Sequence, residues 1–257
     1  MRLAVDVGNT DIVVGLSDGT RWIEIWRKSS KIKGSPLTYI SWLNLLFLEN
    51  NIVPQQISQV VYSSVVPSLN DVLLPAFSSL FEKEPIIIGP DIYPLLKVDI
   101  HHPYELGSDL FANAVATHHR FKENCVIVDF GTALTFTTVS KEGAILGVAI
   151  APGLRTAVKS LFANTAQLPE VPLTVPESPI GKNTVESIQA GVLIGYKGLV
   201  KFMIQEIENE LGGKLIAVGT GGHSAIIPSL EGIFTVIDKN LTLEGLKIIG
   251  EYIASQD

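Results

Sequence analysis

The chain has 257 residues, 46% hydrophobic and 18% charged, with a net charge of -7 and a mean hydropathy of +0.33. That length can bury a large core as one domain or two, and the acidic balance excludes a general affinity for nucleic acid or anionic lipid, either of which needs a basic surface. No apolar run reaches the roughly 18 to 20 residues of a membrane span, the opening MRLAVDVGNT lacks a signal-peptide pattern, and one cysteine, Cys125, has no second thiol to pair with, so a cytoplasmic protein is expected.

Residues 2–7 and 11–16 read as strands around the turn GNT, and RWIEIWRKS at 21–29 as a third, giving an antiparallel meander. SPLTYISWLNLLFLENN follows with Leu37, Ile40, Leu43 and Phe47 at helical spacing, Ser35 as cap and Pro36 at the first helical position. QVVYSSVVP is a short strand, LNDVLLPAFSSLF a helix and PIIIG a strand. LFANAVATHHRF is a helix with GSD at its N-terminal edge. CVIVDFG, ALTFTTVS and GAILGVAIAPG then form a second meander, and LRTAVKSLFANTAQL a helix. The Pro-rich stretch at 169–183 holds no regular element, and 184–212 is a long helix with a break expected near Gly195 or Gly198. KLIAVGTGG and GIFTVID are strands, and TLEGLKIIGEYIAS closes the chain as a helix. Strands alternating with helices imply mixed α/β sheets flanked by helices.

The two meanders align at an offset of 123, pairing Asp6 with Asp129, Gly8 with Gly131, Asn9 with Thr132 and Thr10 with Ala133. A match of strand, Asp-x-Gly, strand and turn points to a duplicated α/β unit, with domains expected at 1–117 and 118–257. Chemically, a glycine in each turn lets backbone N–H groups approach an anion, and Asn9, Thr10 and Thr132 add short polar groups suited to phosphate oxygens. The aspartates at the strand ends can hold Mg²⁺ directly or through water. Two such turns describe a cleft that cradles a polyphosphate. Either turn alone also reads as an ordinary hairpin whose Gly and Asn serve the turn. The glycines after LIAVGT, Gly221 and Gly222, leave bare backbone for a flat ring or a ribose, or form a plain loop. Asp109 reads equally as a helix cap or as a base aimed at a reacting hydroxyl. Four histidines, His101, His102, His118 and His119, flank that helix without acidic or thiol partners at ligand spacing and read as surface groups.

DVGNT, SVVP, GSDLFANAVA, VDFGTALTF, GVAIAPG, LPEV, IGKNTVESIQAG and GTGG occur in the order and spacing of the type III pantothenate kinases, which this chain resembles over nearly its whole length. The resemblance implies duplicated ribonuclease H-like domains of the acetate kinase, sugar kinase, Hsp70 and actin superfamily. The activity it implies is ATP-dependent phosphorylation of the hydroxyl of pantothenate, the first step of coenzyme A synthesis. Asp6, Val7, Gly8, Asn9, Thr10, Asp11, Ile12 and Val13 would then serve ATP phosphates and Mg²⁺ (Asp6), while Thr132, Gly221 and Gly222 would contact ATP. Asp129 would hold a monovalent cation, K⁺ or NH4⁺. Asp109 would be the general base, and Ile100, Gly107, Ser108, Asp109, Leu110 and Thr184 would line the substrate site of a homodimer, with the IGKNT region near its shared interface. Leu110 stands where the family usually has arginine and Ile100 where it has tyrosine, so the carboxylate end of the substrate loses a bidentate partner. Tyr104 lies close to Ile100 in the sequence, and Lys182 is a candidate substitute for the arginine from the partner subunit. Alternative readings are a kinase of another small hydroxylated compound and a nucleotide-binding paralogue with a regulatory or interaction role.

Overall fold

The computed structural model describes residues 1–32, 34–96, 98–226, 230 and 232–256. Each three-strand meander becomes one side of a five-stranded mixed sheet. In the first sheet, β1 (Arg2–Val7) pairs antiparallel with β2 (Asp11–Ser17), and β2 with β3 (Trp22–Ser29). On its other side β1 pairs parallel with β4 (Gln59–Ser64), which carries the short β5 (Ile86–Ile87).

Side chains alternate across a strand. Leu3, Val5 and Val7 of β1 and Ile12, Val14 and Leu16 of β2 therefore share one face, where they pack with helices α1 (Pro36–Glu49) and α2 (Pro67–Phe81). Tyr39, Leu43 and Phe47 of α1, and Leu69, Leu73, Phe77 and Phe81 of α2, recur every fourth residue and form that core. The expected α1 stripe through Leu37 is corrected: Leu37 is 70% exposed, because it lies two residues off the Tyr39 repeat and so on the far side of the helix.

The second sheet repeats the plan, with β6 (Cys125–Phe130), β7 (Ala133–Val139) and β8 (Ile145–Pro152) as the meander. β9 (Ile216–Thr220) lies parallel to β6 and bears the short β10 (Val236–Ile237). Phe130, Leu134 and Phe136 bury one face against Leu154 and Val158 of α4 (Leu154–Ala163) and against the long helix that follows the connector. That helix runs as α5 (Thr184–Gln189), a π segment (Ala190–Ile194) and α6 (Gly195–Leu211). The interruption expected near Gly195 is thus a widened turn that ends there, with no break in the helix.

The repeat is not residue for residue through its middle. Gly8 N–H bonds the Asp11 carbonyl, whereas Gly131 N–H bonds that of Ala133, both at 3.0 Å. Ser30 N–H reaches the Thr10 carbonyl at 2.9 Å and Gly153 N–H the Thr132 carbonyl at 3.0 Å. The first turn is therefore one residue shorter in the second copy, and Thr132 corresponds in backbone to Thr10 rather than to Asn9. The next turn is one residue longer, with Gly19 (φ 105°) and Gly143 (φ 93°) both left-handed, and the offset is restored by β8.

Two compact units result, Met1–Ala116 with Thr242–Asp257, and Thr117–Leu241. The boundary inside α3 (Ser108–Phe121) lies one residue from the expected 117, but the last helix, α7 (Leu241–Ala254), returns to the first unit instead of completing the second. Glycine makes this return possible, since a Cβ on Gly245 would overlap the Ala112 backbone and one on Gly250 would meet Val61. Trp22 Nε1 donates to Glu244, Arg2 pairs with Glu251 at 3.1 Å, and Gln59 Nε2 donates to the Gly250 carbonyl at 3.1 Å.

Candidate active site

In the first unit the candidate residues gather at the ends of β1 and β4. Asp6, the next-to-last residue of β1, is in register with Val13 of β2 and Ser63 of β4, so these three side chains share the face opposite the apolar core. Beyond it the hairpin tip is tied down at both ends of its turn: Ser30 Oγ donates to the Gly8 carbonyl at 2.6 Å, and Ser30 N–H to Thr10. Asn9 and Thr10 are left exposed at the tip. Val7 and Ile12 are fully buried in the apolar core, so only their backbone is available to a phosphate.

Ser108 opens α3 and Asp109 is its second residue, within the first helical turn instead of beside the cap. Ser108 is buried, and its Oγ lies 2.8 Å from the buried Ser63 Oγ, which joins the helix start to the strand beside Asp6. Leu110 N–H donates to Asp109 Oδ1 at 2.8 Å. Burial pushes the Asp109 carboxyl above its ordinary range, an effect that this N–H bond opposes. Gly107 leaves the room, because a Cβ there would press on Asp109 Oδ1. Behind the helix Tyr93 stacks on Phe111 at 4.1 Å and donates from its hydroxyl to the Leu106 carbonyl at 3.1 Å, holding the loop before Gly107. Burial first, and the Asp109 charge second, push the Tyr93 hydroxyl up to about 12. Ile100 and Leu110 are half-buried, and Tyr104 is 84% exposed.

The second unit carries the other hairpin. Asp129 is in register with Thr135 of β7 and Thr220 of β9. Gly221 follows at φ 91°, where a Cβ would strike Asp129 Oδ1 and the Phe130 backbone. Gly153 packs its bare Cα on the Gly131 and Thr132 carbonyls, and Thr156 Oγ1 donates to the Thr132 carbonyl at 2.7 Å. Gly222 borders open space. Thr184 is exposed at the start of α5, after a cap in which Asn183 Oδ1 accepts from Glu186 N–H at 2.9 Å. The Glu186 carboxylate accepts in turn from Lys182 N–H and Asn183 Nδ2, both at 2.9 Å.

The donor chemistry fits cations. Asp129 Oδ1 is packed among glycine backbone, and Asp6 stands at a strand end; both offer hard oxygen ligands. No cluster of three or more His, Cys, Asp or Glu occurs among the described residues. Ser63, Ser30 and Thr156 had no signal in the sequence, and Gly153 entered only as the end of the GVAIAPG motif, with no role attached. Each joins the site through a strand register or a backbone carbonyl that only the fold defines.

A sequence profile of the type III pantothenate kinase family matches residues 2–206. The chain belongs to that family. It is 38% identical over 247 residues to the type III pantothenate kinase of Dehalococcoides mccartyi strain ATCC BAA-2266, covering 96% of each chain. It is 38% identical over 249 residues to that of Myxococcus xanthus, covering 97% of each. Its fold is similar to that of MreB 5 of Spiroplasma citri, solved bound to AMPPNP, with a TM-score of 0.53 at 12% identity over 99% of this chain and 97% of the other. Such a neighbour shows the actin-like ATPase fold of this pantothenate kinase family member, which the two mixed sheets flanked by helices share.

Proposed function

We propose that Asp109 is the general base of a pantothenate kinase acting with ATP. The family assignment makes the protein a kinase that phosphorylates pantothenate in coenzyme A synthesis. What supports Asp109 in that role is its place next to Ser108, whose hydroxyl meets that of Ser63 on the Asp6 face of the first sheet, together with the desolvation that raises its carboxyl pKa. Asp109 takes the proton from the pantothenate hydroxyl as its oxygen attacks the γ-phosphorus. The bond to the β,γ-bridging oxygen breaks, and ADP leaves with that electron pair. A base works best when its pKa approaches the working pH, and burial moves Asp109 in that direction.

Asp6 is the residue for Mg²⁺, which when bound offsets negative charge on the phosphates. Asp129 is the residue for K⁺ or NH4⁺. In the first unit the turn from Gly8 to Asp11 receives phosphates, and Gly107, Ser108 and Leu110 line the acceptor side. In the second unit the turn at Gly131 and Thr132, with Gly221, contacts ATP, and Thr184 contacts the acceptor. Leu110 and Ile100 offer apolar contact to the acceptor and no charge to its carboxylate. The protein acts as a homodimer, a reading that rests on the family resemblance, with the IGKNT region near its shared interface. No described helix is long and apolar enough to cross a membrane.

The deciding experiment measures ADP formation from ATP with and without pantothenate, for the parent and for Asp109→Asn. The expected result is pantothenate-dependent turnover that Asp109→Asn lowers by about 10²- to 10⁴-fold. Full turnover by Asp109→Asn would remove it as the base.

A further inference from the structure

Ser63 is completely buried in β4, and no step above uses it. Its side chain lies on the Asp6 face, and its hydroxyl meets that of Ser108 at 2.8 Å. Among the described residues the Ser108 hydroxyl makes one further hydrogen bond, a long approach of 3.5 Å to the Ser64 carbonyl. The two hydroxyls therefore satisfy each other in a place where a buried hydroxyl left alone is costly.

Ser63 is fixed by main-chain pairing to β1, and Ser108 is the residue before Asp109. The hydroxyl contact is thus a direct tie from the strand beside Asp6 to the turn bearing the base. The covalent path between them instead runs through α2 and the loop that ends at Gly107. Tyr93 holds that loop at the Leu106 carbonyl, and Gly107, between Leu106 and Ser108, has no side chain to carry the hold on to the helix start. A hydrogen bond sets both distance and direction, whereas an alanine pair would let the helix start slide, and a reacting geometry tolerates only about 0.5 Å of misplacement.

We infer that Ser63 is a positioning residue: through Ser108 it fixes the first turn of α3 on the end of β4 and sets where the Asp109 carboxylate stands relative to Asp6. The inference rests on Asp109 being the base.

The test is steady-state kinetics with ATP and pantothenate, together with thermal unfolding, for Ser63→Ala, Ser108→Ala and the double variant. The expected result is a kcat about tenfold lower in each, with KM for ATP within about twofold of the parent. The double variant should recover thermal stability, since neither hydroxyl is then buried alone, yet keep the low kcat. A kcat within about twofold of the parent in the double variant, or a kcat that follows thermal stability across the series, overturns the inference and leaves the pair a packing feature. Asp109→Asn in the same assay separates the two readings. If it turns over normally, the base assignment fails and this inference with it; if it is inactive while the serine variants match the parent, only the role of Ser63 fails.

Discussion

Asp109 titrates in a place that penalises its charge, and the sign of that penalty yields two measurements. Its folded carboxyl pKa is raised above 3.8, chiefly by burial. A base must be ionised, so kcat/KM falls as pH drops through the raised value, and the acidic limb of the pH profile should lie above 3.8. A limb at or below that value would contradict it. For stability, a folded pKa above the unfolded one means that the favourable contribution is full below the unfolded pKa and is lost as pH rises through the folded pKa. Asp109→Asn should therefore unfold at a higher temperature than the parent near pH 8, with the gain shrinking toward pH 4. Cys125 gives a simpler expectation. Burial first pushes its thiol up to about 11, so the native protein should react with iodoacetamide far more slowly than the unfolded chain. The identity of Asp109 was legible in GSD ahead of a helical run, but its environment was not. Ser63 was illegible for the same reason, because both depend on which strand lies next to β4.

The hairpins show what an element demands of its neighbours. Gly153 must lack a Cβ because the Gly131 and Thr132 carbonyl oxygens occupy that space, and main-chain atoms cannot turn aside as a long side chain can. Gly153→Ala should displace the hairpin tip, cost about 1 to 3 kcal/mol of stability and weaken binding of an ATP analogue at least about tenfold. Gly147→Ala in β8, the strand that ends just before Gly153, is the control, since nothing lies within 4 Å of its Cβ position, and it should bind as the parent does. Isothermal titration with the analogue checks both. The duplicated meander was legible because Asp-x-Gly and strand alternation survive in both copies. The longer second turn was legible too, as one inserted residue before Gly143 that restores its pairing with Gly19, but the shorter first turn that compensates it was not, since the overall offset stays at 123 and only strand register reveals the slip. The π segment was equally hidden. Glycines at 191, 195 and 198 signal irregularity without saying whether a helix stops or widens.

Across the whole molecule the decisive feature is the return of α7 to the first unit. Chain order suggested that the last helix completes the second half. The structure instead seats it where Gly15, Gly245 and Gly250 remove side chains and where Lys247 stands 5.3 Å over the Trp22 ring. Gly245→Val should destabilise the first unit by several kcal/mol, since its side chain has only the Ala112 backbone to enter. Limited proteolysis should then cut within residues 1–116 before it cuts 117–241. Cutting in the reverse order would show that α7 is dispensable to the first unit.

That return also reverses the usual timetable of a chain leaving the ribosome. Units generally fold in the order in which they are made, but here residues 1–116 stay unfinished until residues 242–257, made after the whole second unit, arrive. Residues 117–241 can acquire their core while the helix that completes residues 1–116 is still untranslated. The surface of the first sheet that awaits α7, with Trp22 and Val61 on it, stays open throughout that interval.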